Sequence, residues 1–437
     1  MPWVNGATAM PGEPGPASGN RCEPGPDGWA PAGCEILRGA LRITHYMYLF
    51  FLSLWRSLLL AAHALATPFE KGRRLSGALL IIVGLPVFLA WQALHWLGML
   101  LDEIFFRGYR KVEIRAPLFV VGPPRTGTTH LHHVLSADPQ TTTFRTWECL
   151  FGLSVTARYV GLGLFRGHRM LGSPFNRVGR WLGKKVVGDL EDIHPIRMTD
   201  PEEDFLALMP ALACFLIAIP LPRAHWLWRL ARFDTHVGRT ERTALLTFYR
   251  RAIQRHLYVF GEDKRFLSKN ASFAGMTDGL LEAFPDARII ATVRDPLSVA
   301  PSQLSSLRPA LALCGYREVP DRLRDDLLRL LEYYFMNLKR SAGEHPGRIA
   351  FIENAALRDA LAVSVRRALG ELGVPVSADL ERRLGETAAA TATKVSKHRY
   401  TLGEFGLTDA VIRSRFAPVY ASFRFGPAQP VTPQDDQ

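Results

Sequence analysis

The stretch Leu118-Phe-Val-Val-Gly-Pro-Pro-Arg-Thr-Gly-Thr-Thr sets an apolar run before a turn rich in glycine and hydroxyl groups. Gly122 and Gly127 let the backbone curl until successive N–H groups face one anion at the start of a helix. Thr128 and Thr129 add hydroxyl donors. The spacing G-x4-G is that of a phosphate-binding loop, but the Lys expected after the second Gly is missing. Arg125 stands inside the loop instead. A triphosphate loop sets its Lys on the β- and γ-phosphates and uses its hydroxyl to hold magnesium. A cation at mid-loop suits a single 5'-phosphate and the group that leaves it, and no metal is implied.

A second cation follows the same logic. In Ile289-Ile-Ala-Thr-Val-Arg-Asp-Pro a strand pattern ends at Arg294, and Ser302 comes eight residues later. An Arg at the carboxyl end of a parallel strand lies where open α/β sheets bind ligands. Asp295 and Pro296 are helix starters in their own right.

These residues need a scaffold, and the chain supplies one. Ala116–Val121 reads as a short buried strand, with Thr128–Ser136 as the helix after it. Phe266-Leu-Ser-Lys-Asn, Ala287–Val293 and Arg348–Ile352 are further strands. Helical patterns lie at Glu202–Met209, Arg242–Tyr258, Gly275–Phe284, Asp321–Arg340 and Leu357–Leu372. Strands alternating with helices predict an α/β fold: a P-loop-like central parallel sheet flanked by helices. The acidic run Asp200-Pro-Glu-Glu-Asp204 reads as a helix start, with Asp200 as N-cap, Pro201 at N1 and Glu203 closing a capping box.

Pro124-Arg-Thr-Gly-Thr-Thr resembles the 5'-phosphosulfate loop of sulfotransferases that use 3'-phosphoadenosine 5'-phosphosulfate (PAPS). It is closest to the bacterial-type family with P-R-[ST]-G-T-T, and the likeness runs from about Arg107 to Phe425. The resemblance implies that Pro124, Arg125, Thr126, Gly127, Thr128 and Thr129 cradle the 5'-phosphate. It implies that Arg294 and Ser302 grip the 3'-phosphate through charge-assisted hydrogen bonds. Lys269 matches the family's catalytic Lys, which contacts the bridging oxygen as the bond to sulfur breaks. Ala271 falls where cytosolic relatives carry a general-base His, and His130 where they stack a Trp on adenine. The segment Lys397-His-Arg-Tyr is similar to the family's closing K-H-x-Y, so Lys397 or Arg399 would cover the 3'-phosphate.

Sulfuryl transfer is an in-line displacement, so the protein positions donor and acceptor and neutralises charge on the leaving phosphate. An acceptor hydroxyl also needs a proton acceptor. The resemblance puts Glu148 first, because membrane-bound and carbohydrate sulfotransferases place a catalytic Glu in this region. His194, just before a proline, is second: a neutral imidazole accepts a proton near pH 7.

The bulk properties bound this reading. A chain of 437 residues accommodates one large α/β domain with accessories. Its net charge of +12 suits a nucleotide or an anionic membrane surface. No RNA- or DNA-binding motif is present, so nucleic acid is not an expected partner. Cys22, Cys34, Cys149, Cys214 and Cys314 fit no zinc spacing and read as free thiols in a reducing compartment.

Residues 1–35, rich in Pro, Gly and Ala, read as disordered. Residues 36–106 read as membrane-associated helices. Met47–Ala66 is apolar around Arg56, and Ser76–Leu101 carries no Asp, Glu, Lys or Arg. Lys71–Arg74 lies before the second segment, and Arg107, Arg110 and Lys111 lie after it. Both basic flanks share one side of a membrane if this segment is re-entrant around Gly84 and Pro86, or lies in the interface. The expectation is a monotopic or hairpin anchor, with the catalytic domain 107–425 on the cytoplasmic face and a tail at 426–437. The acceptor would then be a hydroxyl or amine on a hydrophobic or lipid-linked molecule. Two rivals stay open: a P-loop nucleotide kinase, which the missing Lys opposes, and a non-catalytic PAPS-binding membrane scaffold, which Ala271 allows.

Overall fold

The computed structural model describes residues 32–70, 72–170, 198–391 and 402–426. The chain divides into two units, Met1–Met47 and Tyr48–Gln437, and the second holds the sheet. Five strands form it: β1 (Leu118–Val121), β2 (Thr141–Thr142), β3 (Arg265–Lys269), β4 (Arg288–Val293) and β5 (Ile349–Glu353). Their spatial order is β2-β3-β1-β4-β5, and every pairing is parallel. This is the α/β architecture expected.

The central strand β1 is buried throughout, as an apolar run covered on both faces must be. Leu118 and Val120 pack with Leu131, Ile290, Ile352 and Val365 on one face. Phe119 packs against Tyr249 and Phe284 on the other. The edge strand β2 is two threonines, too short and polar for a strand signal.

Three predicted elements change. Glu202–Met209 is not an α-helix; a 3-10 stretch spans Asp204–Ala211, and Glu203 makes no side-chain cap there. The capping box is absent because tertiary partners claim the carboxylates: Glu203 pairs with Lys269, Glu202 accepts from the Thr146 hydroxyl at 2.9 Å, and Asp204 accepts from the Tyr249 hydroxyl. Pro210 lies within this stretch and lacks the N–H that an α-helix needs. The Leu357–Leu372 pattern breaks at Ala360 into helices Asn354–Asp359 and Leu361–Glu371. The first helix begins at Ala32, inside the segment read as disordered.

The apolar segments form α1 (Ala32–Ala66) and α2 (Leu75–Phe105), both long and apolar enough to cross a membrane. Residues 48–106 nevertheless belong to the same unit as the sheet. At the start of α2, the Arg74 N–H donates to the Gly315 carbonyl at 2.7 Å. Gly77 sits so close to the Cys314–Gly315 backbone that a Cβ would lie 2.3 Å from it. Near the other end, buried Asp102 accepts the N–H groups of Val155 and Thr156 and the Arg255 guanidinium, each at 2.8 Å. Between them, Gln92 and Trp96 both donate to the Pro210 carbonyl. The helix therefore lies along the domain instead of projecting from it. It also runs unbroken through Gly84 and Pro86, so the turn of a re-entrant segment is absent.

Arg56 on α1, the charge that interrupts the first apolar segment, is explained in the same way. It pairs with Glu241 and donates to the Ala211 carbonyl at 3.2 Å. The other face of this helix pair is bare. Phe51, Trp55 and Leu58 on α1, and Val83, Val87, Leu94, Leu97 and Ile104 on α2, are each more than half exposed. Their spacing of three and four residues gathers them on one stripe of each helix.

Candidate active site

The residues singled out for chemistry hang from the carboxyl ends of the strands. The loop follows β1, Lys269 ends β3, Arg294 follows β4 and Asn354 follows β5. Gly122 has φ +152°, and a Cβ there would lie 2.3 Å from the Thr292 carbonyl, so the loop can leave the sheet this tightly only with glycine. Arg125 takes φ 70° and Gly127 φ 96°, left-handed turns that swing backbone N–H groups toward one centre. Helix α3 (Thr128–Leu135) starts directly after.

Arg125 and Arg294 lean on each other: an Arg294 Nη donates to the Arg125 carbonyl at 3.3 Å, and Arg125 Nε donates to the Ser302 hydroxyl at 3.1 Å. Among the described residues, neither guanidinium forms an ion pair with a carboxylate. Burial, then the charges of Arg125 and Arg358, pull the Arg294 pKa below its ordinary value. A pair of cations held together at this cost is a site shaped for anions.

Both arginines line one cavity of about 930 Å³, together with Pro124, Gly127, Thr128, Thr129 and Asn354. Ala271 lines it too. Much of the remaining lining is apolar, from Phe205, Phe215, Leu216, Ala218, Ile219, Trp228, Leu307, Leu311, Leu323 and Leu327, with Gln303, Ser305, Ser306 and Arg308 among them. Glu203 also lines the cavity and holds the Lys269 ammonium.

Other expected residues are placed differently. The Thr126 side chain turns inward, bonding the Pro123 carbonyl at 2.7 Å and Thr292 Oγ1 at 2.6 Å, so it ties the loop to β4 rather than facing the cavity. Ser302 stands behind Arg125, on helix Pro296–Leu313, which begins as read: Asp295 caps the Leu297 N–H at 2.9 Å. Glu148 does not reach the cavity. It is buried, and its Oε1 accepts from Arg158 Nε at 2.9 Å and from His256 Nδ1 at 2.7 Å. Its Oε2 accepts the Arg145 N–H at 3.1 Å. His194, Lys397 and Arg399 lie outside the described residues.

Sequence reasoning missed Asn354, whose amide donates to the Thr126 carbonyl at 3.0 Å, and it missed the apolar lining. The lining had a signal, since no charged residue occurs between Asp204 and Arg223. It also assigned Glu203 to a helix cap.

An arginine-bearing phosphate loop on the central strand of a parallel sheet, with a second arginine at the next strand end, defines a P-loop-like α/β transferase. Residues 117–378 match the profile of the sulfotransferase family, and the chain belongs to that family. It is 29% identical over 218 residues to the omega-hydroxy-beta-dihydromenaquinone-9 sulfotransferase Stf3 of Mycobacterium bovis, and equally to that of Mycobacterium tuberculosis. That alignment covers 48% of this chain, and the chain spans about half the length of these curated relatives (50%). The fold is similar to sulfotransferase STF9 from Mycobacterium avium, with TM-score 0.65, 18% identity, and coverage of 86% of this chain and 96% of that one. STF1 from M. tuberculosis H37Rv gives TM-score 0.61 at 18% identity, covering 87% and 98%.

Proposed function

We propose that this protein moves a sulfuryl group from PAPS to a hydroxyl or amine on a hydrophobic acceptor at a membrane surface. One observation carries the reading: two arginines that form no ion pair among the described residues line a cavity that is also rich in apolar side chains. Arg125, with the N–H groups and hydroxyls of Gly127, Thr128 and Thr129, neutralises the 5'-phosphate as it becomes the leaving group. Arg294, with Ser302, holds the 3'-phosphate. Lys269 does not itself line the cavity but pairs with Glu203, which does; from there its ammonium serves the bridging oxygen, where charge develops as the bond to sulfur breaks. The mycobacterial relatives act on omega-hydroxy-beta-dihydromenaquinone-9. An apolar acceptor with one hydroxyl suits a cavity lined in this way.

Incubation of the full chain with [35S]PAPS and a total lipid extract tests this. A labelled lipid is expected. Magnesium-dependent transfer from ATP would favour the kinase instead, and PAPS binding without any labelled product would favour a scaffold.

The membrane part of the reading rests on α2. Because both of its ends are fastened to the domain that holds the sheet, it is suited to lie in the interface with its bare stripe toward the acyl chains. The basic flanks at Arg74 and Arg107 then face the same side, which for a PAPS-using enzyme is the cytoplasmic one. Burying each valine contributes roughly 1.5 kcal/mol, about tenfold in partitioning. The double variant Val83→Glu, Val87→Glu is expected to lower co-sedimentation with anionic phospholipid vesicles by about a hundredfold, with the thermal midpoint unchanged. Wild-type vesicle binding by this variant would remove the helix stripe from the reading.

A further inference from the structure

We infer that Glu203 is the general base of the transfer, an assignment that rests on the sulfotransferase reading above. Among the described residues that line the cavity, Glu203 is the sole carboxylate, and no His, Cys or Lys lines it. Serine, threonine and amide groups there are not bases near neutral pH, and the arginines stay protonated. Among the described residues of the cavity, the remaining proton acceptor is Glu203.

Its neighbours explain why this one carboxylate faces the cavity. Glu202, Glu203 and Asp204 are consecutive, and Glu203 has extended backbone at φ −73°, ψ 117°. Side chains alternate along such a backbone. Glu202 bonds Thr146, and buried Asp204 bonds Tyr249. Two of the three carboxylates thus anchor the segment, and the one between them points to the cavity and Lys269. Phe205, Phe215 and Leu216 line the same cavity, so an acceptor lying along them brings its polar end to Glu203. The former candidate, Glu148, has both oxygens engaged in a buried cluster.

The step then balances. The acceptor oxygen forms a bond to sulfur while its proton passes to a Glu203 carboxylate oxygen. The bond between sulfur and the bridging oxygen breaks, and its electron pair stays on the 5'-phosphate beside Lys269. The products are the sulfated acceptor and 3'-phosphoadenosine 5'-phosphate (PAP), and Glu203 returns its proton to solvent. Before the donor binds, the ion pair with Lys269 holds both groups in place.

The test compares Glu203→Gln and Glu203→Asp with wild type, using [35S]PAPS, the lipid fraction that wild type labels, and PAP in calorimetry. Glu203→Gln is expected to lower the kcat of folded enzyme by about 10²–10⁴-fold and to leave PAP affinity near wild type, with a lowered thermal midpoint because the nearly buried Lys269 ammonium loses its carboxylate. The acid limb of the wild-type kcat profile should disappear in Glu203→Gln and persist in Glu203→Asp at reduced rate. A Glu203→Gln enzyme with wild-type kcat, or one that keeps the acid limb, overturns the assignment alone. A wild-type protein that neither binds PAP nor labels any lipid overturns the sulfotransferase reading, and the assignment with it.

Discussion

Lys269→Ala is expected to lower single-turnover sulfuryl transfer from PAPS by about 10²–10³-fold, the cost of removing one preorganised donor at a developing anion. Binding of PAP should change far less, because its phosphates are assigned to the loop and to Arg294. Lys269 is suited to this role by its place at the end of β3, next to the strand that carries the loop. Its side chain is nearly buried, whereas that of its partner Glu203 is 27% exposed. Loss of the ammonium therefore leaves a carboxylate that water can reach, and the fold should survive. Circular dichroism and the thermal midpoint check that point. Transfer at the wild-type rate by the folded variant would remove Lys269 from the chemistry.

Glu148→Ala should do the reverse: it lowers stability and leaves the turnover of each folded molecule intact. Glu148 and Arg158 side chains are fully buried, and His256 nearly so. Burial pushes the His256 pKa down against the opposing pull of the Glu148 charge; Nδ1–H donates to Glu148, and Nε2 lies 2.7 Å from the Thr142 hydroxyl. Deleting the carboxylate leaves the Arg158 charge buried without its partner, at a cost of about 3–5 kcal/mol. At about 2–4 °C per kcal/mol for a domain this large, the thermal midpoint falls by roughly 6–20 °C. Calorimetry measures it, and active-site titration with PAP separates stability from rate. A midpoint unchanged with kcat abolished would return Glu148 to the role of base.

The same cluster has a pH signature. Burial alone would raise the Glu148 pKa, but His256 and Arg158 outweigh it and hold the carboxyl below the usual carboxylate range. A group depressed on folding contributes stability above its unfolded pKa of about 4.3 and loses it as pH falls through the lower folded value. Acid unfolding of wild type should therefore steepen below about pH 4, and the Glu148→Ala variant should lack that component.

Much of the donor side was legible because its chemistry is local. Gly122, Arg125, Gly127 and the threonines lie within one turn, so their spacing alone specifies a cradle for a phosphate and not a triphosphate. Arg294 was legible from the strand that ends just before it. The surroundings of Glu148 and Glu203 were not legible because they are not local. Glu203 sat in a run that mimics a helix start, and Glu148 sat where a likeness pointed. Only the approach of β3 gives Glu203 its lysine, and only the helix Arg239–Phe260, which carries His256, seals Glu148.

The apolar segments divide in the same way. Their composition by itself determined that they seek an apolar environment, since no charge interrupts Ser76–Leu101. Whether the second segment leaves the domain was decided by Gly315, Pro210, Val155 and Arg255, residues far away in the chain that fasten α2 at both ends and in between. The loop, the parallel sheet and the affinity for apolar surroundings thus follow from sequence, because short-range backbone geometry and hydrophobic burial produce them. Which carboxylate lines the cavity, and how the helices lie, depend on partners from about fifty to more than two hundred residues apart. Those pairings exist only once the chain has folded.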